Sequence, residues 1–167
     1  DAPLMFTYKQ NNCWTKDFLE FMGTDPLFRK GEYDKLTYGM LYNYGEDFML
    51  SLNHDDFREK AFVDMVSGSD EKAHLSDIKA ALGFMYAHPG SKMFAAGQDA
   101  GLEKFMSELN KFYAKNAALY ELDNDPDGFM WLENSNPEET VIAMQRGDRM
   151  GNKLVSAENY NHVRREN

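Results

Sequence analysis

The stretch LTYGMLYNYGEDFMLSLNHDDF, residues 36–57, determines the fold that the sequence predicts. Within it, Phe48–Leu52 is a short, mostly apolar run that stops abruptly at the polar residues 53–56. Such a run is typical of a buried strand in a parallel sheet. Barrel enzymes place their chemistry just beyond the carboxyl ends of such strands. His54 and Asp55 are therefore candidate site residues, and the alternative is an ordinary strand-ending turn.

Helical and strand patterns alternate around this run. Apolar residues at helical spacing predict a helix over residues 70–87, which Ser69 caps and which ends before Pro89. Residues 92–96 form a second apolar run, and residues 102–113 form an amphipathic helix. The pattern predicts one strand–helix–strand–helix unit with parallel strands, and a short helix over residues 15–22 precedes it.

The hydrophobic period changes after residue 123. Phe129–Glu133, residues 140–145 and residues 153–157 are predicted strands joined by turns. Residues 123–128 imitate half of a calcium loop, but the twelfth position of that loop is Asn134 rather than a glutamate, so a turn is predicted. Trp131 and Tyr160 are candidates for stacking on sugar, with core packing as the alternative.

Composition excludes several classes of partner. The net charge is -10 and the pI is near 4.8, which argues against nucleic acid and anionic membranes. The one cysteine, Cys13, cannot form an internal disulfide, which fits a reducing cytoplasm, and we expect it to be a buried or half-buried filler. No signal peptide or membrane span is recognisable. The three histidines other than His54 are predicted to be structural or solvated, because His74 and His162 have no cysteine or histidine partner at metal-ligand spacing and His88 is next to Pro89. No metal or cofactor is predicted.

Several long, ordered segments carry a family resemblance. They are FTYKQNNCW (6–14), DPLFRKGEYDKLTYGMLYNYGEDFMLSLNHDD (25–56), FMYAHPGSKMFAAG (84–97) and LNKFYAKNAALYELDNDPDGFMWLE (109–133). Together they resemble bacterial 1,4-alpha-glucan (glycogen) branching enzymes of the alpha-amylase superfamily, over nearly the whole chain. The resemblance implies that Phe48–Leu52 matches the seventh barrel strand and residues 92–96 the eighth.

The resemblance also implies an architecture. The chain has 167 residues, fewer than the roughly 250 of a typical complete barrel. The implied fold is therefore α/β. Residues 1–120 form the carboxyl-terminal part of a TIM-type (β/α)8 barrel, from its sixth to its eighth helix. Residues 121–167 form the start of an antiparallel β domain that is incomplete.

By the same resemblance, Asp55 matches the carboxylate that stabilises the oxocarbenium-like transition state, and His54 matches a histidine that binds the same sugar ring. The nucleophile and the general acid of the family come from its fourth and fifth strands, which this chain lacks. Two regions depart from the family pattern. Residues 56–60 stand where the family has a glutamate and a His-Gly-Lys stretch, and residues 97–101 replace a longer loop, rich in tryptophan and aspartate, that helps to shape the sugar cleft.

The leading hypothesis is thus a fragment or shortened relative of a branching enzyme, a family of retaining transglycosylases in glycogen biosynthesis, that is inactive as an isolated chain. One alternative is a stand-alone glucan-binding or scaffolding module, and another is a compact derivative whose only property is folding. The expected partner is an alpha-glucan, bound weakly or not at all. A homo-oligomer is also expected, because strands cut from a barrel expose open edges.

Overall fold

The computed structural model describes residues 8–38, 48–52, 61–67, 70–94 and 101–161, and within these ranges it confirms the predicted mixed α/β class. The helices are α1 (Asn12–Gly23), α2 (Lys35–Tyr38), α3 (Phe62–Met65), α4 (Glu71–Ala87) and α5 (Glu103–Lys115). The strands are β1 (Lys9–Gln10), β2 (Phe48–Leu52), β3 (Ser91–Phe94), β4 (Phe129–Glu133), β5 (Val141–Gly147) and β6 (Lys153–Asn159). Short 3-10 turns occupy Arg29–Glu32, Ala117–Leu119 and Pro126–Gly128.

The first three strands form a parallel sheet in the order β1-β2-β3, so strands adjacent in sequence pair with each other. β2 is the central strand, and its last residue, Leu52, lies opposite Phe94 at the end of β3. The pairing confirms Phe48–Leu52 as a parallel strand, and Leu50 at its middle is 1% exposed. β3 begins at Ser91, one residue before the predicted start, and residues 95–96 lie outside the described ranges.

Helix α1 runs in the direction opposite to α4. The ring of Trp14, near the start of α1, lies 5.9 Å from the ring of His88, just after the end of α4. At the other end, the backbone carbonyl of Met22 accepts a hydrogen bond of 2.8 Å from the amide of Ser67, shortly before α4 begins. In a (β/α)8 barrel the helices alternate with parallel strands, and all the helices run in the same direction as one another. The orientation of α1 therefore differs from that of a barrel helix.

Helices α4 and α5 do run in the same direction. Lys79 lies over the ring of Phe105, with its ammonium 5.6 Å from the ring centroid. Further along both helices, the rings of Tyr86 and Tyr113 meet edge to face at 5.5 Å. The β2–α4–β3–α5 segment thus has the directions that the predicted unit requires, while its continuation into a barrel stays a prediction.

The last three strands form an antiparallel sheet in the order β4-β5-β6, which confirms the three strands predicted after residue 123. β4 matches the prediction, and β5 and β6 each end two residues later than predicted, at Gly147 and Asn159. The carboxylate of Asp148 accepts hydrogen bonds from two amides in the turn between β5 and β6. Gly151 has φ 83° there, a conformation that glycine adopts without a steric penalty.

The two sheets share one hydrophobic core. Its members come from both sides of the predicted boundary at residue 121, for example Trp14, Phe18 and Phe84 on one side and Ile142 and Met144 on the other. The predicted division into residues 1–120 and 121–167 stays a prediction, but the core does not stop at that boundary.

Two local predictions are wrong. The cap of α4 is Asp70 rather than Ser69: its carboxylate accepts a 2.9 Å hydrogen bond from the amide of Ala73. Cys13 is exposed rather than buried, because the inward positions at the start of α1 belong to Trp14 and Thr15. Among the residues that the structure describes, no helix has the length and apolar character needed to cross a membrane.

Candidate functional site

The predicted site follows the carboxyl end of the central parallel strand. His54 and Asp55 come directly after β2, and both lie outside the described residues. The same holds for residues 56–60 and 97–100, where the sequence departs from the family pattern. The structure thus places the strand that leads to the two side chains, and their geometry stays a prediction.

The segment that carries these residues connects two buried anchors. Leu50 in β2 is 1% exposed, and Phe62 at the start of α3 is fully buried. The ring of Phe62 lies 6.2 Å from that of Phe18 in α1, nearly parallel to it. On the neighbouring strand, the last residue of β3, Phe94, stacks on Tyr86 at 6.1 Å. Aromatic pairs of this kind stabilise packing beyond the area that they bury.

The described residues contain a second polar cluster, which surrounds Arg146 in β5. Its guanidinium is fully buried and forms a 2.5 Å ion pair with Asp123. It also donates hydrogen bonds to the backbone carbonyls of Gly128, at 3.0 Å, and Ala87, at 2.9 Å. A buried charge is tolerated when it is paired and its donors are satisfied. Arg146 therefore ties the antiparallel sheet to the end of α4.

Lys92, the second residue of β3, lies in the same cluster. Its ammonium donates to the carbonyl of His88 at 2.6 Å and to the carbonyl of Gly90, and it lies 5.4 Å from the centroid of the Tyr113 ring. Desolvation lowers the pKa of the Lys92 amine to about 7, and the charge of Asp123 opposes this shift. Two backbone carbonyls and an aromatic ring thus surround the amine.

His88 completes the cluster as an uncharged residue. Desolvation lowers the pKa of its imidazole to about 3. Its Nδ1 lies 3.1 Å from the carbonyl of Phe84, which can only accept, so Nδ1 carries the proton. Its Nε2 and the buried Nε1 of Trp14 have no hydrogen-bond partner among the described residues. The rings of Trp14 and Trp131 each lie 5.9 Å from the imidazole.

The contacts of this cluster join separate parts of the fold. Arg146 is bonded to backbone carbonyls and to Asp123, Lys92 is bonded to backbone carbonyls, and the histidine is neutral and enclosed by aromatic rings. Neither Arg146 nor Lys92 was predicted from the sequence. The pattern that could have revealed Arg146 is its place in β5, because it continues the inward-facing alternation of Ile142 and Met144.

The remaining candidates from the sequence have structural positions in the core or in a turn. Tyr160 is buried and donates a 3.4 Å hydrogen bond to the carbonyl of Ala80, which confirms the core alternative for this residue. Trp131 is half-buried and packs against the core. Pro126–Gly128 forms a 3-10 turn, as expected for the segment that resembles a calcium loop. Within the described ranges, no group of three or more histidine, cysteine or acidic side chains is arranged to hold a metal ion.

His74 also has a structural partner, since its Nε2 lies 2.8 Å from the carbonyl of Val63. His162 lies outside the described residues. A comparison with known protein families finds no family model that matches the chain. The function is therefore argued from its residues.

Proposed function

We propose that this chain is a fragment or shortened relative of a 1,4-alpha-glucan branching enzyme. It keeps one wall of a glucose-binding site, formed by Asp55 and His54, and has no transglycosylase activity of its own. The observation that supports the proposal is the position of Phe48–Leu52 as the central strand of a parallel sheet, with Leu50 buried at its middle. The polar residues of the resemblance follow at its carboxyl end, the end at which barrel enzymes bind their substrates.

The chemistry of the two side chains limits what they can do. The carboxylate of Asp55 can hold sugar hydroxyls and favour positive charge on the ring, and His54 can add a hydrogen bond. Such contacts supply differential binding of a transition state but neither a nucleophile nor a proton. Retaining transfer needs two further carboxyl groups on opposite faces of the sugar, about 5 Å apart. The resemblance assigns no residue of this chain to either role, so branching and hydrolysis are absent.

A second candidate is a stand-alone glucan-binding or scaffolding module. The shared core favours it, because the antiparallel strands and the helices bury one common set of side chains, as an independently folding platform requires. The orientation of α1, opposite to α4, also suits a rearranged platform better than an unaltered piece of barrel. Both candidates predict that any glucan affinity depends on Asp55.

The test is affinity electrophoresis in native gels with and without glycogen. We expect weak retardation of the wild-type chain, a loss of that retardation in Asp55→Asn, and wild-type behaviour in the matched control Asp56→Asn, which removes the same charge one residue away. Gel mobility is preferable to intrinsic fluorescence. Both tryptophans pack around His88, which comes three residues before β3 starts and therefore lies at the amino end of the sheet. The predicted glucan site follows the carboxyl end, so neither tryptophan is placed to report on it.

Overnight incubation with amylose, followed by an iodine stain and chain-length analysis, completes the test. We expect no new branches and no shortened chains. Equal retardation of all three proteins in the gels would show that Asp55 does not contribute to glucan binding. New branches that disappear in Asp55→Asn would show a working enzyme and refute the proposal of an inactive chain.

A further inference from the structure

A shallow apolar groove runs along helix α5. Two adjoining cavities, of about 440 and 390 Å³, share Phe105 and Glu108 in their linings. Leu75 from α4 and Leu109 and Phe112 from α5 continue the apolar lining. Leu75 is 41% exposed and Phe112 is 49% exposed. Adjoining exposed apolar residues of this kind mark interaction surfaces more often than single ones do.

Four lysines line the rim of the groove against two glutamates, Glu103 and Glu108, although the chain as a whole has a net charge of -10. Of these lysines, Lys79, Lys104 and Lys115 are not ion-paired with a described residue. The other cation of the rim, Lys111, pairs with Glu108 at 3.1 Å. The groove therefore suits an occupant that offers apolar side chains flanked by carboxylates.

The chain itself presents such an occupant, a knob formed by Leu27 and Phe28. These adjacent side chains are 58% and 67% exposed. Asp25 lies beside them: its carboxylate accepts from the amide of Leu27 at 2.9 Å, and its carbonyl accepts from the amide of Phe28 at 2.8 Å. Asp34 is also exposed, and no described cation pairs with Asp25 or Asp34.

The knob is rigidly presented. The next residue, Arg29, is fully buried and pairs with Asp77 of α4 at 2.7 Å. Its guanidinium also donates to the backbone carbonyls of Thr24, at 3.1 Å, and Ser67, at 2.9 Å. A fixed apolar anchor loses little conformational freedom on binding, which favours association.

We propose that the Leu27–Phe28 knob of one copy docks into the α5 groove of a second copy. Apolar surface is buried at the centre, and Asp25 faces the lysines of the rim. Knob and groove are different surfaces, so the contact is head-to-tail, and each bound copy still offers one free knob and one free groove. The assembly therefore grows beyond a dimer as concentration rises, and added salt weakens it because exposed charges contribute.

Two variants that each disable one surface test this arrangement. Phe28→Ala removes the centre of the knob, and Phe112→Ala removes part of the groove; both residues are largely exposed, so the fold should persist. By analytical ultracentrifugation we expect each variant alone to be monomeric, with self-association weakened at least about tenfold. An equal mixture of the two should form a dimer and nothing larger, because only one intact knob and one intact groove remain.

Met150→Ala is the matched control, because Met150 is 88% exposed and lies in neither surface. It should assemble like the wild type. If circular dichroism shows that Phe112→Ala unfolds, Lys104→Glu combined with Lys115→Glu replaces it, with the same expectation.

A wild-type chain that stays monomeric at high concentration overturns the proposal. So does assembly that survives Phe28→Ala, which would assign self-association to another surface such as an open strand edge. A mixture of the two variants that stays monomeric also overturns it, since a head-to-tail contact must be restored by complementation.

Discussion

Glu158 in β6 is a carboxylic acid in a buried position, where desolvation disfavours its negative charge. It is 8% exposed and faces inward, in register with Ile142 of β5. Its Oε1 accepts from the hydroxyl of Ser156 at 2.5 Å, and its Oε2 has no partner among the described residues. Desolvation raises the pKa of this carboxyl from 4.5 to about 7. The folded chain therefore holds this proton more tightly than the unfolded chain does.

The sign of the pH dependence follows from this difference. The stabilising effect of the bound proton is fully present below the unfolded pKa of 4.5 and is lost as pH rises through about 7. The total loss is on the order of 3 kcal/mol of unfolding free energy. Glu158→Gln, which cannot ionise, should remove this part of the pH dependence and stabilise the chain above neutral pH. Urea unfolding from about pH 5 to about pH 8 measures the difference.

Glu138→Gln is the control for this prediction, because the Glu138 side chain is 75% exposed. Its pH profile should follow that of the wild type. If the unfolding free energies of the wild type and Glu158→Gln change in parallel with pH over the whole range, Glu158 is not a buried carboxyl with a raised pKa.

At the scale of single residues, sequence patterns identified the residues that pack but not the buried charges. Tyr160 and Trp131 were interpretable as core because they follow strand periodicity. Arg146 and Lys92 were missed, because a cation at an inward position is tolerated only when distant acceptors meet it. Those acceptors, Asp123 and the carbonyl of Ala87 for Arg146, come from separate parts of the chain, and no local pattern predicts that they meet.

At the scale of elements, the contribution of the Asp70 cap at the start of α4 can be tested by one substitution. Asp70 is extended, with φ -153°, and its carboxylate accepts from the amide of Ala73. Asp70→Ala leaves that amide without its cap and should lower the unfolding free energy by about 1 kcal/mol. The midpoint of urea unfolding should fall while its slope stays unchanged.

Asp70→Asn separates the hydrogen bond from the charge, because asparagine caps a helix as well as aspartate does. It should cost much less than Asp70→Ala. If the two variants lose the same stability, charge at the helix terminus rather than the cap explains the effect.

Elements were predicted from the sequence more accurately than their arrangement. β2 and β4 were predicted with their observed bounds, since each is a short apolar or alternating run bounded by polar residues. The direction of α1 was not predicted. It depends on contacts between distant residues, such as Trp14 with His88, and helical periodicity does not specify direction. The candidate site depends on a family resemblance because the pattern around Asp55 equally fits an ordinary turn.

At the scale of the whole molecule, the helices and the antiparallel sheet are joined by specific polar contacts as well as by the common core. The hydroxyl of Tyr33 donates to the carbonyl of Val141 at 2.7 Å, and Arg146 donates to the carbonyl of Ala87 at 2.9 Å. If either the helices or the antiparallel sheet lost its structure, apolar surface of the other would be exposed. Residues on both sides of position 121 should therefore unfold in a single cooperative transition.

The two tryptophans allow this to be measured, because Trp14 lies in α1 and Trp131 lies in β4. In Trp14→Phe, the remaining tryptophan fluorescence reports on Trp131 in β4 and on its contact with His88, while far-ultraviolet circular dichroism reports mainly on the helices that precede it. We expect both signals to change at the same urea concentration, and the same agreement in the reciprocal variant Trp131→Phe. Comparing two signals within one variant cancels the stability that each substitution costs. A fluorescence change in Trp14→Phe that comes well before the loss of helical signal would show that the β strands form a separate, weaker unit, as a true domain boundary near residue 121 requires.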